Sequence, residues 1–383
     1  MPELSETRKR IDAIDSQIFS LFAERTDLAA DVAAYKRAHN LPVLDPARER
    51  KKVARAAQSV PEDLATSAQV LMELLMQASR SRQHALLDDA AQPEVVRQIE
   101  AARAATPELF PRTARVSCQG VEGAYSQIAA ERFFRRPQLT FSPTFDGVFA
   151  AVEEGLSDYG VLPVENSTAG SVNQVFGLMG EHRFYVVRTT RVKVDHNLLA
   201  KPGTTLADIR DIYSHEQAIR QCAEFLSGLP DVAVHVCENT AVAAKRVAES
   251  DRADVAALSS LPCASLYGLD VLASAVQDRD NNYTRFACIS KSLEIYPGAN
   301  RTSLMVVLPH EPGALYKLLA TFFALDINIL KLESRPIPER DFEFMFYFDI
   351  DCPVAAPEFS SLMASLSGLC QECRYLGSYA EVI

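Results

Sequence analysis

Residues 159–171 read YGVLPVENSTAGS. The apolar run at 159–163 is short and passes directly into polar residues, which predicts a buried strand ending at the edge of a sheet. Glu165, Asn166, Ser167 and Thr168 follow that strand end, together with further small and hydroxyl residues. The stretch therefore predicts a binding or catalytic site, with an ordinary polar loop as the alternative.

Similar apolar runs recur on both sides of this stretch. They lie at 115–118, 211–213, 232–236 and 255–258, and helical stretches separate them. Strands that alternate with helices predict an α/β domain, here from about 113 to 292.

Three more polar clusters fall beside predicted strand ends in this domain, at 120–126, 213–217 and 281–286. Glycines in the first cluster permit a tight turn before a helix whose N-terminus attracts anions. His215 lies at the mouth of a strand and is a candidate acid or base, although a lone histidine is more often structural.

The first 87 residues contain almost no glycine and predict helices. The first helix should begin near Ser5 and run to about His39, because Pro42 forbids its continuation. Its length is roughly 50 Å at 1.5 Å per residue. Such a long helix with an apolar seam needs a packing partner, so we expect a homodimer or a higher homo-oligomer.

The seam of this first helix carries positive charge. Arg8, Arg25 and Lys36 lie on the apolar stripe, where Asp15 is the acid present. Unpaired buried cations are costly, so the three either pair with acids or form a pocket for a multiply anionic ligand. Three cations against one acid favour the pocket.

The last 80 or so residues, from about 300 to 383, predict a separate unit. Strands at 302–308, 327–335, 342–350 and 370–379 and helices at 313–325 and 355–366 give a βαββαβ order. This order is typical of a ferredoxin-like α+β fold.

The net charge and the lengths of the apolar runs exclude some classes of function. The net charge of −11 argues against a nucleic-acid partner, and no apolar run is long enough to span a bilayer. The start of the chain lacks the apolar core of a secretory signal, so we expect a cytoplasmic protein with reduced cysteines. Cys370 and Cys373 form an isolated Cys-x-x-Cys, which we interpret as chance spacing; no metal or cofactor is expected.

The helical zone resembles the all-helical chorismate mutases that are fused to prephenate dehydratase in bacteria. The resemblance covers about 85 residues and includes Arg8, Arg25, Lys36, Asp45, Arg48, Glu49, Ser79 and Gln83. It implies that Arg8 reaches across from a second subunit and that Arg25 and Arg48 hold the carboxylates of chorismate. It further implies that Lys36 and Gln83 face the ether oxygen, and that Glu49 and Ser79 hold the ring hydroxyl.

The α/β zone resembles the prephenate dehydratase domain over about 180 residues, through its Glu-Asn-Ser-Thr-x-Gly and Thr-Arg-Phe elements. The resemblance implies two lobes like those of periplasmic binding proteins, with the active site between them. Thr284 is the expected donor to the leaving hydroxyl of prephenate, while the formal acid stays open among Glu165, His215 and Thr284. Arg285 is a further catalytic candidate, and the predicted substrate-binding residues are Ser126, Asn166, Ser167, Thr168, Ser214, Gln217 and Phe286.

The C-terminal unit resembles the ACT regulatory domain of phenylalanine-inhibited dehydratases. The resemblance rests on Glu311-Pro-Gly-Ala-Leu315 and on Leu332-Glu-Ser-Arg-Pro336. It implies that phenylalanine binds at a dimer interface contacted by Gly313, Ala314, Leu315, Glu333, Ser334, Arg335 and Pro336.

The sequence therefore predicts a three-domain protein: an all-α mutase (1–90), a two-lobed α/β dehydratase (113–292) and a ferredoxin-like ACT domain (300–383). Two alternatives remain. One is a non-catalytic binding protein that senses an amino acid. The other is an arogenate or prephenate dehydratase with an inactive mutase domain.

Overall fold

The structure is a computed structural model that describes residues 4–39, 41, 43, 45–87, 94–337 and 343–382. The predicted helix break at Pro42, the first part of the segment joining the helical and α/β zones, and the predicted strand start at 342 lie outside these residues.

The N-terminal part is helical, as predicted. Its helices are α1 (Leu4–Ala38), α2 (Pro46–Gln58), α3 (Ala65–Leu87) and α4 (Glu94–Ala105). The side chain of Asp45 caps α2 by accepting a hydrogen bond from the Arg48 backbone N–H at 3.1 Å. Helix α3 packs against both α1 and α2, so these three helices enclose a space between them.

The central part forms two lobes. The first lobe contains β1 (Arg115–Gln119), α5 (Tyr125–Phe133), β2 (Gln138–Ser142), α6 (Phe145–Glu153), β3 (Tyr159–Asn166), β4 (Gly170–Ser171), α7 (Asn173–Glu181) and β5 (Tyr185–Lys193). The second lobe contains β6 (Asn197–Ala200), β7 (Asp211–His215), α8 (Glu216–Gln221), α9 (Ala223–Ser227), β8 (Ala233–Cys237), α10 (Thr240–Glu249), β9 (Val255–Ser259), α11 (Leu261–Tyr267) and β10 (Asp270–Ala273). Strand β11 (Tyr283–Ser290) returns to the first lobe and lies between β5 and β3.

The C-terminal part has the predicted βαββαβ order. Its elements are β12 (Arg301–Val307), α12 (Ala314–Ala324), β13 (Asn328–Pro336), β14 (Phe344–Asp351), α13 (Pro357–Leu369) and β15 (Glu372–Val382).

One large sheet joins the C-terminal part to the first lobe. Its strand order is β13-β14-β12-β15-β5-β11-β3-β1-β2, and the second lobe has a separate sheet of order β10-β6-β9-β7-β8. The junction is the parallel pairing of β15 with β5, where Ala380 lies opposite Arg188. Gly377 permits this approach, because a Cβ there would lie 2.2 Å from the Val186 carbonyl oxygen.

A bulge interrupts the pairing of β3 with β11. Arg285 pairs with Glu165, but the next residue, Phe286, pairs with Pro163, so Val164 is the extra residue. A bulge reverses the alternation of side chains beyond it. Pro163 and Asn166 consequently face the space between the lobes, whereas Val164 and Glu165 face the C-terminal part.

The eight cysteines are all free thiols. Burial raises the pKa of Cys370 and of Cys373 to about 12, which keeps both thiols protonated. Among the described residues, no group of three or more His, Cys, Asp or Glu side chains is arranged to hold a metal ion. Every helix in the described part of the chain is too short or too polar to cross a bilayer.

Candidate active sites

A cavity of about 320 Å³ lies between α1, α2 and α3. Its polar lining contains every predicted mutase residue except Arg8, namely Arg25, Lys36, Asp45, Arg48, Glu49, Ser79 and Gln83. Lys52 and Arg80 also line the cavity, and the prediction missed both. Lys52 lies four residues after Arg48 on the same face of α2, a spacing that could have identified it.

Hydrogen bonds fix two of the side chains that line this cavity, Arg25 on α1 and Gln83 on α3. The Arg25 guanidinium donates to the Ser79 hydroxyl at 2.7 Å and to the Leu75 carbonyl at 2.6 Å. The Gln83 amide nitrogen donates to the Ser79 carbonyl at 3.2 Å, while its amide oxygen is buried without a partner among the described residues. An unpaired buried polar atom is costly, so Gln83 is poised for a ligand in the cavity.

Positive charge dominates this cavity. Five cations line it, namely Arg25, Lys36, Arg48, Lys52 and Arg80, and the acids present are Asp45 and Glu49. Glu49 is already paired with Arg80 at 2.5 Å. Burial lowers the pKa of Lys36, and nearby Arg48 lowers it further. The same two causes lower the pKa of Lys52. The cavity is therefore built for an anion with more than one charge.

Arg8 lies outside this cavity. Its side chain is exposed near the start of α1, and Arg25 follows 17 residues later, which is roughly 25 Å along the helix. Arg8 therefore cannot reach the cavity formed by its own helix.

A second cavity of about 410 Å³ lies between the two lobes of the central part. The predicted residues that line it are Ser126, Asn166, His215, Gln217, Thr284 and Phe286. The prediction missed several other polar liners, among them His196, Gln221 and Asn239. Asn239 and His196 fall in short loops whose sequence carries no recognisable signal.

Asn166 determines the direction of the Thr284 hydroxyl. Its amide nitrogen donates to the Thr284 oxygen at 3.0 Å and to the Asn282 side-chain oxygen at 2.9 Å. The Asn166 oxygen accepts from the backbone and hydroxyl of Thr168, which fixes the orientation of the amide. Because the Thr284 oxygen accepts from Asn166, its own O–H is left to donate into the cleft.

Gln221 extends this network across the cleft. Its side-chain oxygen accepts from Asn282 at 2.9 Å and lies 3.0 Å from His196 Nε2. Its amide nitrogen donates to the Thr168 hydroxyl at 2.7 Å. Thr168, although predicted to bind substrate directly, contributes by linking Gln221 to Asn166.

Both histidines of the cleft favour the neutral form. Burial lowers the pKa of His196 and of His215. His215 Nδ1 accepts from the Gln217 backbone N–H at 3.2 Å, which leaves the proton of the neutral ring on Nε2. Neither ring is therefore a strong acid at neutral pH.

Besides Thr168, four predicted dehydratase residues do not line the cleft. Glu165 and Arg285 lie on the opposite face of the sheet and pair with each other at 2.8 Å. The bulge at Val164 turns Glu165 away, whereas regular alternation along β11 turns Arg285 away from the face of Thr284 and Phe286. Ser214 is fully buried and donates to the Leu258 carbonyl at 2.7 Å, inside the second lobe. The Ser167 hydroxyl donates to the Asn281 carbonyl at 2.8 Å and so holds the loop. The sequence-based placement of these four in the cleft is corrected accordingly.

A third cavity, of about 390 Å³, lies at the start of α12 in the C-terminal part. Ala314 and Leu315 line it together with Glu311, Phe344 and Phe346. Gly313 caps α12 next to the cavity with a φ of 83°, a left-handed conformation that favours glycine.

The predicted effector residues on β13 divide between its two faces. Ser334 and Pro336 are exposed, whereas Glu333 and Arg335 turn toward the first lobe. There Glu333 accepts a hydrogen bond from the Ser171 hydroxyl at 2.7 Å, and Arg335 pairs with Glu333 at 2.9 Å. Strand alternation thus places Glu333 and Arg335 away from the third cavity of the same chain. Their contact with an effector at a dimer interface stays a prediction.

The fold and its first two cavities define a multidomain metabolic enzyme with two separate sites. The family model for chorismate mutase type II matches residues 7–84, and that for prephenate dehydratase matches residues 116–294. The bifunctional chorismate mutase/prephenate dehydratase of Escherichia coli (strain K12) is 30% identical over 383 residues, covering 97% of this chain and 95% of that protein. The chain belongs to the bifunctional chorismate mutase/prephenate dehydratase family.

Two further relatives each match about 70% of this chain. The arogenate dehydratase/prephenate dehydratase 2 of Arabidopsis thaliana is 37% identical over 277 residues, which are 69% of this chain and 72% of that protein. The crystal structure of prephenate dehydratase from Arthrobacter aurescens in complex with L-Phe is 28% identical with a TM-score of 0.64, and covers 70% of this chain and 89% of that one. The two enzymatic resemblances predicted from the sequence are confirmed.

Proposed function

We propose that this chain rearranges chorismate to prephenate in the helical cavity and converts prephenate to phenylpyruvate in the cleft between the lobes. The observation that carries the proposal is the cation-rich cavity, which suits a dicarboxylate, on the same chain as a separate cleft with a free hydroxyl donor. The family assignment supports both reactions.

The mutase reaction is pericyclic and needs no nucleophile, so its residues act by binding and by electrostatics. Arg25 and Arg48 hold the two carboxylates, and Lys36 and Gln83 stabilise the negative charge that builds on the ether oxygen. Ser79 and Glu49 hold the ring hydroxyl, each oriented by an arginine, Arg25 and Arg80 respectively.

Arg8 completes the mutase site of a second copy of the chain. Its distance from its own cavity and the apolar side chains exposed along α1 support a homodimer at least. We also propose a cytoplasmic location, which the free cysteines support.

In the dehydratase cleft, the Thr284 hydroxyl donates to the ring hydroxyl that leaves as water. The electron pair of the bond to the ring carboxylate moves into the ring as CO₂ departs, and the C–O bond breaks as the ring becomes aromatic. The leaving oxygen takes the proton of the Thr284 hydroxyl to form water, and Thr284 regains a proton from solvent. Asn166 holds Thr284 in the donating orientation, and the neutral histidines leave the departing carboxylate without a strong cation.

The test is to supply the purified chain with chorismate and follow prephenate and then phenylpyruvate, which absorbs as its enolate in alkali. Both products are expected. Prephenate that accumulates without phenylpyruvate would contradict the dehydratase assignment. No turnover of either chorismate or prephenate would favour the non-catalytic binding protein.

Arogenate is the second candidate substrate for the cleft, because the Arabidopsis relative is named for both substrates. The comparison is kcat/KM for prephenate and for arogenate with the same preparation. We expect prephenate to be preferred, since the helical part of the same chain produces it.

We infer that the C-terminal part is a ferredoxin-like ACT domain that binds phenylalanine and inhibits the dehydratase. The strand order and the cavity beside Gly313 support this, as does the complex of the Arthrobacter relative with L-Phe.

Gly313→Ala tests the effector site, and Gly298→Ala is its control, because both glycines have a left-handed φ and open space around a new Cβ. Loss of inhibition in the first variant alone is expected, with dehydratase turnover retained in both. Ser334→Ala, on the exposed face of β13, should also weaken inhibition; unchanged inhibition in Gly313→Ala and Ser334→Ala would contradict the site.

A further inference from the structure

Strand β13 carries a buried lysine that points out of its own domain. The Lys331 side chain is 9% exposed, and its Nζ lies 3.3 Å from Glu165 Oε1 in the first lobe. The same Nζ lies 4.7 Å from the centre of the Phe176 ring, on helix α7 of that lobe. Nζ has no hydrogen-bond partner among the described residues, so Glu165 is the counter-charge on which Lys331 depends.

Glu165 belongs to a chain of ion pairs that reaches the C-terminal part on both sides. Its other oxygen lies 2.8 Å from the Arg285 guanidinium, and Arg285 lies 3.2 Å from Glu381 on β15. Glu381 is 7% exposed and Arg285 is 22% exposed. Water screens such pairs weakly, so they interact more strongly than surface pairs do.

The neighbouring acid Asp349 does not replace Glu165 as the partner of Lys331. Asp349 lies opposite Lys331 in the pairing of β14 with β13. Burial raises the pKa of Asp349, although a hydrogen bond from Ser303 opposes that rise. The charges of Lys331 and Arg285 oppose it too. Among the described residues the ion pair of Lys331 is with Glu165, so removing Glu165 would leave Lys331 without a close ion-pair partner.

These ion pairs lie directly behind the catalytic hydrogen bond. Thr284 pairs with Asn166 and Arg285 pairs with Glu165 as successive partners of β11 and β3, so the two pairs share a backbone but face opposite sides. A shift of the Glu165 backbone displaces the next residue, Asn166, whose amide nitrogen is 3.0 Å from the Thr284 oxygen. Small displacements of reacting groups cost large factors in rate.

We propose that Lys331 is a positioning residue for the dehydratase reaction: from the C-terminal part it holds Glu165 behind the sheet and thereby keeps Asn166 and Thr284 aligned in the cleft. The inference rests on the dehydratase function proposed above. It assigns to the C-terminal part a direct contribution to catalysis in the absence of any effector.

The first test is Lys331→Met in the full chain, which keeps the length of the side chain and removes its charge. The expected result is a fall in kcat for prephenate of roughly tenfold with KM changed by less than about twofold, because the misaligned groups act in the transition state. Lys331→Arg should recover most of the kcat. Mutase turnover and the unfolding temperature of the same preparations report whether the chain is folded.

Lys317→Met is the matched control. Lys317 also lies in the C-terminal part and pairs with acids, Glu73 at 3.5 Å and Glu311 at 3.3 Å, but neither acid is in the central part. Its kcat for prephenate should equal that of the wild type. If Lys331→Met unfolds the chain, Lys331→Gln gives the same comparison.

A second test repeats Lys331→Met in the Glu165→Gln background. If Lys331 acts through Glu165, the second substitution should lower kcat by less than about twofold there. Wild-type kcat in Lys331→Met, or an equal loss in both backgrounds, would overturn the inference. An inactive wild type in the same assay would instead contradict the proposed dehydratase function, so the two failures are distinguishable.

Discussion

The hydroxyl of Thr284 can donate into the cleft because another residue occupies its oxygen. This arrangement predicts that a shape-matched residue without a hydroxyl fails. Thr284→Val should lower kcat for prephenate by roughly a hundredfold or more, while Thr284→Ser should retain much of the activity. Mutase turnover by the same preparations should not change. A Thr284→Val variant within threefold of wild type would contradict the donor role.

The lowered pKa of Lys36 predicts that mutase activity depends on pH. The ammonium form is the one that can stabilise charge on the ether oxygen, and burial together with Arg48 lowers its pKa from the ordinary value of 10.5. Activity should therefore be full at low pH and fall as the pH rises through this lowered pKa. The measurement is kcat/KM for chorismate from pH 6 to 11. A profile that stays flat up to the ordinary lysine range would show that Lys36 is not the group responsible.

Residue-level prediction from the sequence succeeded where periodicity is regular. Helical spacing alone places Arg25 and Lys36 on one face, and the structure puts both in one cavity. It failed at Glu165, because the bulge that turns this residue away leaves no mark in the sequence. It also failed at Arg285, although regular alternation along a strand already places Arg285 on the face opposite Thr284. Ser214 was misplaced for a different reason, since a hydroxyl at a strand end can equally well satisfy a carbonyl inside the lobe.

At the scale of single elements, helix α1 exposes many large apolar side chains to solvent in a single chain. Ile14 and Ile18 are more than half exposed, and Phe19 and Leu21 are exposed further, although all are large apolar residues. The long seam predicted from the sequence is present, but within one chain α3 covers a part of it.

Ile18→Asp tests whether a second copy covers α1. The substitution should weaken self-association, seen by sedimentation, and lower mutase kcat/KM roughly tenfold or more because Arg8 of the second copy is lost. Dehydratase kcat should change much less. Leu109→Asp is the control, since Leu109 is 78% exposed in the loop between α4 and β1. A monomeric variant with full mutase activity would contradict the shared site.

At the scale of the whole molecule, the three-part organisation followed from composition and pattern, but the fusion of two sheets into one did not. The pairing of β15 with β5 joins strands nearly two hundred residues apart, and neither strand carries a signal for its partner. The β15 side chains Leu376 and Tyr379 pack in one core with Phe184 and Val186 from the first lobe. The dehydratase region therefore shares its interior with the C-terminal part.

Removing the C-terminal part should therefore impair stability and dehydratase activity more than removing the N-terminal helices does. A chain ending at residue 299 loses the neighbour of β5 and five of the 16 buried residues of that shared core, so we expect a lower unfolding temperature, aggregation and little prephenate turnover. A chain starting at residue 94 keeps the strand beside β5 and the whole shared core, so it should retain dehydratase activity. Comparable dehydratase activity in the two truncated chains would show that the shared core is dispensable.

The extra residue at Val164 also bears on how this enzyme can change over evolutionary time. If regular alternation were restored with every residue kept, Glu165 would face the cleft and Asn166 would face away from it. The groups presented to substrate here depend on the course of the backbone as well as on residue kinds, so a mutation elsewhere that removed the bulge would exchange an amide for a carboxylate without changing either residue.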